Sequence, residues 1–177
     1  DFPAIPDTDY ELKYVDASLS PYLSPAFYLT APVDDPDLNL IYLNPKSGCT
    51  GLELYTTLAH EGFPGHLYQN RYSGSFLSPL RSLLSFGGYT EGWATYVEML
   101  SYDYAAKDCS KEVSAAISLA QKQRSMLLGL SSLIDILVHY HGFTKEDIES
   151  FLQNLGVSGT ATADSIYNAV LESPANY

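Results

Sequence analysis

The chain has 177 residues, a net charge of −12, and 17% charged against 46% hydrophobic residues. Such a composition describes a globular chain with a real core, not a disordered one. The acidic balance excludes a nucleic-acid binder, which needs a basic face, and argues against docking on anionic lipid.

No apolar run reaches membrane-spanning length. The most apolar segment, Met126 to His139, is interrupted by Ser131, Ser132 and Asp135. Fifteen tyrosines against nine Lys plus Arg slightly favour an extracytoplasmic or cell-surface setting. Cys49 and Cys109 show no metal-ligand spacing and leave the compartment open. The chain opens abruptly at Asp1-Phe2-Pro3 without a signal peptide, as it would if one had been removed.

Residues 1–25 carry Pro3, Pro6, Pro21 and Pro25 and no periodic pattern, and so read as an extended wrapping segment. Ala26–Thr30 and Leu38–Asn44 read as two short strands, joined as a hairpin through a turn at Pro32–Pro36. Leu38–Asn44 is the candidate edge strand for pairing with a substrate backbone. Thr50-Gly51-Leu52-Glu53 reads as a capping box that opens a helix over Thr50–Tyr72. Ser73–Ser78 follows as a polar loop. A second helix spans about Tyr89–Ala105 and a long third about Ser110–His141, ended by Gly142. The all-round apolar pattern of Met126–His139 predicts that this stretch is central to the core. Thr144 starts another capped helix ending near Leu155, and a last one spans roughly Thr162–Glu172. The expected fold is mainly α: a zincin-like domain of about five helices with a small β-hairpin near residues 26–44, the whole chain forming one catalytic domain.

The chemistry concentrates in His60-Glu61-Gly62-Phe63-Pro64-Gly65-His66. It begins like the H-E-x-x-H zinc helix, whose histidines stand four apart and share one face. Here the second histidine is six along. Six positions rotate a side chain by about 600°, roughly a third of a turn off the face. A straight helix therefore aims His60 and His66 apart. Proline breaks the hydrogen-bond ladder and glycine accepts unusual backbone angles, so a kink at Pro64-Gly65 can bring the two together. The plainer reading is a buried helix that happens to hold two histidines.

A catalytic zinc takes three protein ligands. Glu91, 25 residues after His66 on the next helix, is the expected third. Glu98 lies seven further on the same face, as a candidate partner to a ligand. Glu61 would act as general base and then general acid. The oxyanion donor is left among His139, His141 and a tyrosine. Asp135 and His139 stand four apart and face the same way. With Arg124 they are either a structural polar cluster between helices or support for the site.

Taken together, the blocks His60–Gln69, Glu91-Gly92-Trp93-Ala94-Thr95-Tyr96-Val97-Glu98 and Asp135–Gly142 resemble the bacterial family called domain of unknown function 885. Its members are regarded as zinc metallopeptidases of mostly helical fold. The resemblance covers roughly residues 20–177. It implies one zinc per chain held by His60, His66 and Glu91, with Glu61 as acid/base. It also implies that Arg124, Asp135 and His139 belong near the site, with Gln69 and His141 as further candidates. Many members carry a second histidine directly after the motif histidine, where this chain has Leu67. Members are usually several hundred residues long, so the chain reads as a C-terminal fragment. Its partners would then be a peptide substrate and the missing N-terminal region. The expected function is zinc-dependent peptide hydrolysis. The alternatives are a non-catalytic helical scaffold and a metal-dependent hydrolase of a non-peptide amide.

Overall fold

The computed structural model describes residues 2–32, 34–35, 37–74, 76–82, 84, 86–157 and 159–175. Seven α-helices occur among them: α1 (Gly51–Glu61), α2 (His66–Gly74), α3 (Pro79–Ser82), α4 (Gly87–Ala106), α5 (Lys111–His139), α6 (Lys145–Asn154) and α7 (Thr160–Glu172). A three-stranded sheet comprises β1 (Glu11–Tyr14), β2 (Ala26–Leu29) and β3 (Leu40–Leu43). The fold is mainly α with a small β element, as the pattern predicts. The chain divides into two compact units, 1–119 and 120–177, with the boundary inside α5.

In the first unit the strand order is β1-β3-β2. The predicted hairpin is present as the antiparallel β2–β3 pair, in which Phe27 faces Tyr42. Its turn includes Val33 and Pro36, which lie outside the described residues. The supposed wrapping segment, however, supplies β1, which pairs in parallel with β3 through Glu11↔Leu40 to Tyr14↔Leu43. Leu38–Asn44 is therefore not an edge. It is the central strand, and its backbone is committed on both sides.

Two buried asparagines fix this arrangement. Asn39 Nδ2 donates to the Asp9 and Asp37 carbonyls, and Asn44 Nδ2 donates to the carbonyls of Ser20 and Leu23. Ser20 Oγ donates in turn to Asn44 Oδ1. These bonds satisfy polar groups that would otherwise be buried unpaired, and they tie residues 9–23 to β3.

Helix α1 packs against α4 and against β2. Small residues at the contact, Ala59 on α1 and Ala94 on α4, are almost fully buried and let the backbones approach closely. The predicted capping box at Thr50 does not form. Thr50 occupies the N-cap position without a side-chain hydrogen bond, and Gly51 takes φ +56°, a conformation that departs from the regular first helical turn. The predicted cap at Thr144 does form, as a full capping box: Thr144 Oγ1 accepts from Asp147 N–H while the Asp147 carboxylate accepts from Thr144 N–H.

The second unit has its own core of Ile134, Val138, Ile148, Leu152, Ala163 and Val170, where one face of α5 meets α6 and α7. The expectation that Met126–His139 is buried all round is not met. Met126 is 65% exposed and Ile136 52%. Only Ile134 and Val138 of that stretch are buried, because the unit covers a single face of the helix. The glycine stop is as expected: Gly142 adopts φ +72° and its N–H donates to the Val138 carbonyl.

Candidate metal centre

The predicted distortion is a complete break. Helix α1 ends at Glu61 and α2 begins at His66, with Gly62–Gly65 between them and a cis bond at Phe63–Pro64. Gly65 is indispensable to this turn. A Cβ there would lie 1.7 Å from the His60 carbonyl oxygen and 2.4 Å from that of Ala59. The chain folds back on the last turn of α1 so closely that no side chain fits.

The fold-back sets the two imidazoles edge to face, with ring centres 4.8 Å apart. Helix α4 completes the group. Glu91 Oε2 lies 3.5 Å from His60 Nε2, and Glu91 Oε1 lies 3.6 Å from His66 Nε2. One ligand atom from each of the three residues falls within 4.8 Å of the others. These gaps are longer than a charge-assisted hydrogen bond, about 2.8 Å. These two His–Glu gaps are close to the edge of a tetrahedron around a metal with bonds of about 2.1 Å, which is roughly 3.4 Å. The donor set and its spacing thus fit a divalent ion.

Glu98, two turns along α4 from Glu91, accepts from His60 Nδ1 at 3.0 Å and is 4% exposed. That bond puts the proton of neutral His60 on Nδ1 and turns Nε2, as acceptor, toward the group. Gln69, on α2, lies beside the His66 side chain, and its amide donates to the Tyr89 carbonyl at 3.3 Å.

The electrostatics separate the two histidines. Burial works against charge on His60, but the Glu91 and Glu98 carboxylates outweigh it and lift its pKa to about 9. Burial, reinforced by charged His60, pushes His66 down. Glu91 is held below its ordinary value by its bond to His60. Glu61 is raised, chiefly by burial, with Glu91 and Glu98 adding repulsion.

Glu61 Oε2 accepts from the Tyr28 backbone N–H at 2.9 Å. Sequence reasoning missed this bond, because no side-chain pattern marks a backbone donor. Strand β2 is an edge of the sheet. Asn44 N–H donates to the Pro25 carbonyl at 2.8 Å, so residues 25, 27 and 29 face β3 and Ala26 and Tyr28 turn their backbone groups outward. The edge strand beside Glu61 is therefore β2, not Leu38–Asn44.

The remaining expected site residues make their described contacts in the second unit. Asp135 accepts from Ala175 N–H at 2.6 Å. His139 Nε2 lies 3.1 Å from the Val170 carbonyl oxygen. His141 meets the Tyr140 ring edge-on, and Arg124 lies on α5, partly buried. Neither His139 nor His141 is buried, so burial does not force either into a pairing. Cys49 and Cys109 are both free thiols.

No match was found among curated proteins. Among solved structures the chain resembles "the putative lipoprotein from Colwellia psychrerythraea", with TM-score 0.74 and 20% identity over 98% of this chain. It spans 30% of the length of that relative. No described helix is long and apolar enough to cross a membrane. The family model for "bacterial protein of unknown function (DUF885)" matches residues 1–175, and the chain belongs to that family.

Proposed function

We propose that this chain carries the metal centre of a zinc-dependent peptidase. The observation that carries the reading is the convergence of His60, His66 and Glu91, with ligand atoms within 4.8 Å of one another, beside a part-buried carboxylate, Glu61. Two imidazoles and a carboxylate are the donor set of zinc peptidases, and a zinc ion there would supply Lewis acidity and water activation.

The chain's own residues divide the remaining work. Glu61, its pKa raised by burial, takes the proton of the attacking water and delivers it to the leaving amine. Tyr28 N–H holds the Glu61 carboxylate in place in the free protein. Glu98 keeps His60 turned so that Nε2 faces the ligand cluster. Strand β2, an edge of the sheet, lies beside Glu61, and strand addition at such an edge would favour an extended peptide over other amides. An extracytoplasmic location fits the lipoprotein description of the structural relative.

The test is hydrolysis of a mixed peptide library by the zinc-loaded protein, read by mass spectrometry, beside Glu61→Gln. We expect cleavage that disappears in Glu61→Gln while zinc remains bound. Cleavage retained at the unmutated rate in Glu61→Gln would refute the assignment of the base.

A further inference from the structure

Trp93 is the only tryptophan in the chain and stands two residues after Glu91 on α4. Its indole N–H donates to the Pro64 carbonyl at 2.9 Å. Pro64 lies in the four-residue break that returns His66 to His60. A carbonyl there has no helical partner, and the partly buried indole supplies one. From the other side Gly65 presses on the His60 carbonyl. The break is thus gripped between the last turn of α1 and a side chain of α4. The indole is itself held, stacked on Tyr68 at 6.0 Å and met edge-on by Phe2 at 6.0 Å.

We propose that Trp93 is a positioning residue for the metal centre: its N–H fixes Pro64 so that His66 meets the same point as His60 and Glu91. This rests on the metal-centre reading. One helix then sets the whole geometry. Glu91 provides a ligand, Glu98 orients the first histidine, and Trp93 orients the second through the backbone of the break. A residue that merely fills space at this position would not need its N–H.

The experiment removes the N–H and keeps the ring. Because the chain has one tryptophan, biosynthetic replacement by benzothienylalanine, an isostere with sulfur in place of N–H, changes this site alone. Trp93→Phe is the coded counterpart. Tyr68→Phe is the control: it removes the hydroxyl that donates to the Pro3 carbonyl at 2.8 Å and leaves the same aromatic stack in place. Cobalt(II) affinity is measured by chelator competition on the metal-free proteins, with the visible spectrum as a readout of ligand number and thermal melting as a check on folding. We expect both Trp93 replacements to weaken cobalt binding about 10- to 100-fold, the range for residues that orient ligands, with an altered visible spectrum. Tyr68→Phe should leave both unchanged. Unchanged affinity and spectrum in the isostere protein would overturn the proposal and leave the metal centre standing. An equal loss in Tyr68→Phe would reduce Trp93 to general packing and overturn it as well. Failure of the unmutated protein to bind cobalt or zinc would overturn the metal centre, and this inference with it.

Discussion

Gly65→Ala tests the odd histidine spacing most sharply. The added methyl would sit 1.7 Å from the His60 carbonyl oxygen and 2.3 Å from its carbon. Both are backbone atoms and cannot rotate away. Opening the first contact to 3.0 Å requires 3.0 − 1.7 = 1.3 Å of movement between α1 and the start of α2. His66 is the next residue, so its imidazole moves with the break. Metal sites tolerate about ±0.2 Å in ligand distance, and the shift is several times that. His66 would drop out of the group, and affinity should fall by at least about 100-fold, or ~2.7 kcal/mol. Overpacking should also cost the metal-free protein about 1–3 kcal/mol. Chelator competition with zinc gives the first quantity and thermal melting of the metal-free protein the second. Zinc bound as tightly in Gly65→Ala as in the unmutated protein, with the same melting curve, would refute the account of how His66 reaches His60.

Two further outcomes follow from the same geometry. Glu98→Gln leaves His60 Nδ1 with a weaker, neutral acceptor and should lower zinc affinity about 10-fold, and Glu98→Ala up to about 100-fold; isothermal titration of each variant checks this, with Glu53→Gln on the exposed side of α1 as the control. The His60 pKa of about 9 in the metal-free protein lies above the ordinary value near 6.5, so its ion pairs contribute full stability below pH 6.5, and that contribution is lost as pH rises through about 9. Zinc must displace this proton, so apparent affinity should climb about tenfold per pH unit up to roughly pH 9 and then level. A flat profile between pH 6 and 8 would show that His60 is not protonated there.

The grouping of His60, His66 and Glu91 was legible in the sequence because spacing is a statement about helix faces. Glu91 and Glu98, seven apart, do share a face and take His60 from its two ring nitrogens. The mismatch of six between His60 and His66 forced a break, and Pro64-Gly65 located it. What could not be read was the backbone's part. Tyr28 N–H reaches Glu61 only because β2 is an edge, and β2 is an edge only because residues 11–14 pair with the far side of β3. That parallel pairing depends on Asn39 and Asn44, whose long-range bonds leave no periodic trace. Thr50 failed as a capping residue although its sequence signature is intact, since local propensity yields to the geometry the packed helix imposes. The apolar run in α5 misled because hydrophobicity all round a helix predicts burial only where something covers each face. In the second unit α6 and α7 cover one.

The most direct measurement is the metal content of the protein, purified without chelator and offered zinc, by elemental analysis beside Glu91→Ala and His66→Ala. The account predicts about one zinc per chain in the unmutated protein and loss of it in both variants. A chain that takes up no zinc, or variants that keep it, would contradict the claim that His60, His66 and Glu91 form one metal centre.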